Sequence, residues 1–136
     1  MERSVLVKRL MEEHGEKFKK IQRIVDWLET AIMRMDEAIN SYMFGEINAG
    51  DAKLHGASQA LHAFKDEMEK IDKEIAECIY QSAMITMREI ELAKDNKDEL
   101  FKKGEFEIPG LYHMADLLFA ILLLYWDELV KPEKKL

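Results

Sequence analysis

The sequence predicts an all-α protein: a long antiparallel helical hairpin carrying a shorter, strongly apolar third helix, with the helical bundle completed by dimerisation. Three observations predict it. Apolar residues recur at alternating spacings of three and four over two long stretches, only 2 prolines and 6 glycines interrupt the 136 residues, and a late segment is apolar on nearly every side. A composition of 48% hydrophobic and 35% charged residues belongs to a chain that folds around a core. The length fits one helical-bundle domain over residues 1–136.

The first helix is expected over about residues 4–44. Its seam runs Val7, Met11, His14, Phe18, Ile21, Val25, Leu28, Ile32, Met35, Ile39 and Tyr42, the coiled-coil repeat of a helix that keeps one edge against a partner. Ile24, Trp27, Ala31 and Ala38 widen that edge, which favours a bundle with more than one neighbour. Ser4 suits an N-cap and Gly45 a C-terminal stop, giving a rod of about 60 Å.

After FGEINAGD, where Asn48 or Asp51 suits a new cap, a second helix is expected over about 50–95. Leu54, Ala57, Leu61, Phe64, Met68, Ile71, Ile75, Cys78, Ser82 and Ile85 repeat the seam. A short connection makes the two helices antiparallel neighbours, and a fold about Ile47 sets His14 near Cys78 and Tyr80. Beyond Ile85 the stripe drifts to Met84, Met87, Ile90 and Ala93, as a helix does when it meets a new partner.

DNKDELFKKGEFEIPG reads as a break. Asn96 with Glu99 resembles a capping box for a short helical turn over about 97–103, Gly104 ends it, and Pro109 suits the first turn of a third helix over about 109–130. From Met114 to Trp126 Asp116 is the only charge. A helix that apolar must be enclosed, and a symmetric dimer encloses it. The nine methionines offer adaptable packing.

Charge and targeting narrow the function classes. A net charge of −7 argues against a broad nucleic-acid surface. Lys8 with Arg9, Lys17 with Lys19 and Lys20, and Lys102 with Lys103 all lie beside acidic residues and read as solvated faces. The single Cys78 offers no disulfide framework and suits a reducing compartment. The N-terminal residues lack a secretory signal, and Leu117–Trp126 falls short of the roughly 20 apolar residues that span a bilayer. These readings place the chain in the cytoplasm, away from membranes.

Few polar positions invite chemistry. His14 interrupts the first seam beside Gly15. Facing Cys78, with Glu13 and Glu77 close, it would supply too few ligands for a metal site, which takes three or four; hydrogen bonding to Tyr80 or water is the structural reading. His113 and Asp116 share a helix face with Ala120 and Asp127. A carboxylate in an apolar helix needs a partner, and Arg88 or a lysine of the break is the expected one. His55 and His62 flank the second seam as surface positions. The Glu-x-x-His pairs of bundle di-iron sites are absent from the sequence.

HMADLLFAILLLY resembles the metal-binding helix of the all-α nucleotide pyrophosphatases of the MazG kind, where an E-x-x-D pair precedes an apolar run. Asp116 matches the second acid and His113 stands at the first. That family carries an E-E-x-x-E motif on the preceding helix; in MREIE only Glu91 falls in register, and Glu74 with Glu77 in EIAE offers an acidic pair farther upstream. The resemblance covers about 40 residues. It implies Mg²⁺ or another divalent metal held by His113, Asp116, Glu91, Glu77 and Glu74, and hydrolysis of a nucleoside triphosphate. The sequence as a whole favours a non-catalytic subunit, adaptor or regulator that associates with a second copy or another protein, with no catalytic or cofactor-binding residue. Its buried polar positions are expected at His14, Cys78 and Asp116.

Overall fold

The computed structural model describes residues 3–130, apart from the side chains of Leu10, Met11 and His14, and every regular element among them is helical. The order is α1 (Arg3–His14), α2 (Glu16–Met43), α3 (Ile47–Glu69), α4 (Lys73–Leu92), α5 (Lys97–Lys102), a π-helical turn (Lys103–Glu107) and α6 (Ile108–Leu129).

The seam of α2 is the spine of the core. Phe18, Ile21, Val25, Leu28, Ile32, Met35, Ile39 and Tyr42 are all buried, each aliphatic or aromatic side chain contributing about 1.5–3 kcal/mol relative to exposure. The chain reverses after Met43 through Gly45, whose φ of 76° lies in the left-handed region that favours glycine. α3 then returns antiparallel. Glu37 meets Lys53 at 3.2 Å and Arg23 meets Glu67 at 3.6 Å, pairs placed symmetrically about Gly45. Neither Asn48 nor Asp51 caps α3; Glu46 stands at its N-cap, and Asp51 accepts the Tyr42 hydroxyl proton at 2.6 Å.

Each expected long helix is divided, and at each division the chain folds back. Gly15 adopts φ 51° and ψ −115°, a combination open to glycine and strained for other residues. α1 therefore lies back along α2, where Arg3 Nη1 donates to Glu29 Oε2 at 2.9 Å. Ser4 sits inside α1, not at its cap. The second division falls at Lys70–Asp72. Asp72 takes an extended conformation and its Oδ1 accepts from the Ile75 N–H at 2.9 Å, starting α4 as a new helix.

α4 runs antiparallel to α3, with Lys65 against Glu77 at 3.3 Å and Lys94 against Asp51 at 3.7 Å. The expected pairing of residue 14 with Cys78 and Tyr80 needed one continuous helix, and the reversal removes it; the His14 side chain itself lies outside the described residues. Tyr80 instead meets His62 at 3.2 Å. The new start also shifts the register. Ala76, Ile79, Ala83, Thr86 and Ile90 face the core, whereas Cys78, Ser82 and Ile85 of the expected seam are exposed.

Asn96 caps α5 as expected, its Oδ1 accepting from the Glu99 N–H at 3.2 Å. Gly104 does not end the helix. Lys103 Nζ donates to Glu89 at 2.8 Å and Glu107 at 2.7 Å across the π-helical turn, and helical structure continues from Lys97 to Leu129. Pro109 lies in the first turn of α6.

α6 packs antiparallel on α2: the cavity that Tyr112 shares with Asp26 and Met33 lies at the middle of α2, and Phe119, farther along α6, meets Phe18 edge to face at 5.8 Å near the start of α2. The run 97–129 is long and apolar enough by composition to cross a bilayer, and about a third of its most apolar stretch is buried in the bundle. The shorter stretch Leu117–Trp126 understates it, because Ile108, Leu111 and Met114 extend the apolar character toward the N-terminus. α2 is central, α3 and α6 flank it, and α4 bridges from α3 to α6.

Candidate functional site

The face where α4 meets α6 carries apolar side chains that the bundle leaves uncovered. On α6, Leu117 is 52% exposed, Ile121 38% and Leu124 72%. They follow Met114 at spacings of three, four and three, so they form one stripe along the helix. On α4, Ile75, Cys78, Ser82 and Ile85 have the same spacing, with Ile85 55% exposed and the Cys78 thiol open. Each stripe is about 15 Å long at 1.5 Å per residue.

The stripes meet in a groove of about 360 Å³. Ile75, Cys78 and Ile79 form one wall, Met114, Leu117 and Ile121 the other, and Glu74 stands at its edge. Local folding explains the arrangement. The Asp72 cap rotates α4 so that a small-residue edge, Ala76, Ala83 and Thr86, enters the core. The larger side chains of the interrupted seam are left outside. α6 in turn has more apolar positions than its contact with α2 consumes: Ala115, Leu118, Phe119 and Leu122 are buried and the opposite side is not.

The polar candidates occupy separate places. Asp116 is not buried: its side chain is 63% exposed, and its partner is Arg3, at 3.7 Å, in place of Arg88 or a lysine of the break. That partner arrives because α1 folds back at Gly15, which the helical seam does not reveal. Arg3 also lies over the Phe119 ring, 5.3 Å from its centre. His113 is exposed one turn away. Glu77 faces α3, where the Gln81 amide and then Lys65 hold its carboxyl below the usual carboxylate range. Glu91 lies near the Tyr42–Asp51 pair, whose burial and hydrogen bond push the Tyr42 phenol up.

Glu74 alone of the acidic candidates lines the α4–α6 groove. Cys78, expected inside, is exposed beside it. Among the described residues no three His, Cys, Asp or Glu side chains gather where they would hold a metal ion. His62 bridges the Ser58 carbonyl at 2.8 Å and the Tyr80 hydroxyl at 3.2 Å, a surface position that joins α3 to α4. Comparison of the chain with protein-family models, curated proteins and solved structures gives no match.

Proposed function

We propose that this chain is a non-catalytic helical module that works by association, and that the α4–α6 face is where a second copy docks. The observation that carries the reading is the pair of uncovered stripes, Ile75–Cys78–Ser82–Ile85 and Met114–Leu117–Ile121–Leu124, both with the spacing that packs helix against helix. Leu117 and Ile121 edge a groove while Leu124, one turn on, stands out of it. A ridge beside a groove on one surface is self-complementary: about a two-fold axis, each copy's ridge fills the other's groove. Two helices about 9 Å apart, each exposing about 15 Å of stripe, offer a few hundred Å², the size of the largest apolar patch on a typical monomer. With a polar rim, two such faces have the size of a weak, reversible interface.

The single cysteine reports on this directly. The expected result is a dimer mass by light scattering at micromolar concentration, with Cys78 reacting slowly with a maleimide and faster on dilution. The double variant Leu117→Asp, Leu124→Asp is expected to be monomeric, to keep its far-ultraviolet helical signal and to label at the rate of a free thiol. A wild-type chain that stays monomeric with a freely reactive Cys78 overturns the reading. So does flotation of the chain with neutral vesicles in place of dimerisation, since the same stripes would then serve a lipid surface.

A further inference from the structure

A second recess lies away from the α4–α6 face, at the end of the α2–α3 hairpin opposite Gly45. It is built by three elements and the turn after α3: Lys20, Arg23 and Ile24 of α2; Glu67 at the end of α3 with Lys70 and Ile71; and Trp126 of α6 with Val130 beyond it. Its volume is about 310 Å³. Ile24 is buried and Ile71 and Trp126 are half-buried, so its floor is apolar. Cations stand around that floor.

The charge there runs against the rest of the molecule. The chain has a net charge of −7, yet this recess gathers Lys20, Arg23 and Lys70 against the one carboxylate of Glu67. Glu67 is shared between Arg23 at 3.6 Å and Lys70 at 3.3 Å. Lys20 has no ion pair among the described residues, and the Trp126 indole N–H, a donor only, has no hydrogen-bond partner among them. The described lining of the recess therefore carries three cations against one carboxylate, a net charge of +2, beside an apolar floor.

We propose that this recess binds a single-chain carboxylate, a fatty-acid-like anion of about eight carbons. Its aliphatic body lies on Ile24, Ile71 and Trp126, and its carboxylate meets Lys20 and Arg23 at the rim. The recess, about 310 Å³ and open to solvent at its rim, lies at the small end of ligand-site sizes, which suits a short chain such as octanoate. An apolar cavity with a few convergent polar groups is the usual form of a small-molecule site. The charge excess selects an anion over an alcohol or an amine of equal length, and a carboxylate accepts from both a lysine and an arginine. The site is separate from the association face and does not depend on it.

The test uses the full chain with Trp27→Phe, which leaves Trp126 as the only tryptophan of the two. Titration with octanoate is expected to shift its emission saturably in the submillimolar range, with calorimetry on the wild-type chain giving the same constant. Octanol is expected to bind at least ten-fold more weakly, and octylammonium not at all. Lys20→Glu is expected to weaken octanoate at least ten-fold and leave octanol unchanged. Leu117→Asp, Leu124→Asp is expected to bind octanoate as the wild type does. Equal affinity for octanoate and octanol, an unchanged constant in Lys20→Glu, or no heat and no spectral change with octanoate each overturns the proposal. Loss of octanoate binding in the Leu117→Asp, Leu124→Asp variant would place the ligand on the other face and overturn it as well.

Discussion

Gly50→Ala tests the packing that closes the hairpin. A Cβ at residue 50 would stand 2.3 Å from Tyr42 Cε1, 2.5 Å from Cδ1 and 2.8 Å from Cζ. The ring cannot easily yield, because Tyr42 is 1% exposed and its hydroxyl is held by Asp51 at 2.6 Å. Overpacking costs about 1–3 kcal/mol, and displacing the ring costs a further 0.5–1.5 kcal/mol or so by breaking the hydrogen bond. Alanine in place of glycine inside α3 returns about 1 kcal/mol of helix propensity.

The net expectation is a loss of about 1–3 kcal/mol, read as a fall in Tm of roughly 3–10 °C for a domain of this size. Chemical denaturation of Gly50→Ala, Tyr42→Leu and the double variant measures it. Because the smaller side chain vacates the space, Tyr42→Leu should cost less in the Gly50→Ala background, with a coupling of about 1 kcal/mol or more. A Gly50→Ala chain as stable as wild type, or strict additivity of the two changes, refutes the contact and with it the register of α2 on α3.

Gly110→Ala is expected to have the opposite sign, since nothing lies within 4 Å of the added Cβ in α6; a gain of about 0.5–1 kcal/mol by denaturant titration is the prediction. Asp36, which burial and then Glu37 push above the usual carboxylate range, is harder to ionise in the folded chain than in the unfolded one. Protonation therefore favours the native state below about pH 4, and that advantage is lost as pH rises through the folded-state value. Asp36→Asn should raise Tm at pH 7 and leave it unchanged near pH 3.

The core of α2 was legible because a buried helix writes its period into the chain: every seam position from Phe18 to Tyr42 is buried. Gly45 was legible for the same kind of reason, since a left-handed turn favours glycine. The reversal at Lys70–Asp72 was not. No glycine or proline marks it, and Ile71, Ile75 and Cys78 continue the heptad through it, so only Asp72 signals a start, and an aspartate is as common on a solvated helix face.

The start at Asp72 decides which face of α4 is open. Cys78 and Ile85 read as core and are surface; Asp116 read as enclosed and is exposed beside Arg3. What the sequence did show was an excess of apolar side chains on α6. Where that excess points depends on contacts distant in sequence, and no local pattern contains them. Lys20, Arg23, Lys70 and Trp126 were invisible as a group for that reason, being joined only when the ends of α2, α3 and α6 meet.

The division at Gly15 is the point where local and long-range forces are closest to balance. The seam from Val7 to Tyr42 is continuous in sequence, so local periodicity favours a straight helix through residue 15. Among the described side chains, the folded-back α1 is held by modest contacts: the Arg3–Glu29 bond, half exposed on the Arg3 side, the longer Arg3–Asp116 pair, Arg3 over the Phe119 ring, and half-buried Val7. Exposed ion pairs contribute about 0–1 kcal/mol each.

Alanine at residue 15 would meet no steric obstacle, yet it would have to hold φ 51° with ψ −115°, a cost of about 1–3 kcal/mol for a residue with a Cβ. It would also gain about 1 kcal/mol of helix propensity by straightening. Those terms together match what the described contacts of α1 supply, so Gly15→Ala is expected to release it and extend the helix. Small-angle scattering should show a greater maximum dimension, by up to the roughly 18 Å of a 12-residue helix. Helical content should stay the same or rise. Unchanged dimensions with lowered stability would mean that α1 is docked by more than Arg3 and Val7, and that the strain at residue 15 is borne within the folded bundle.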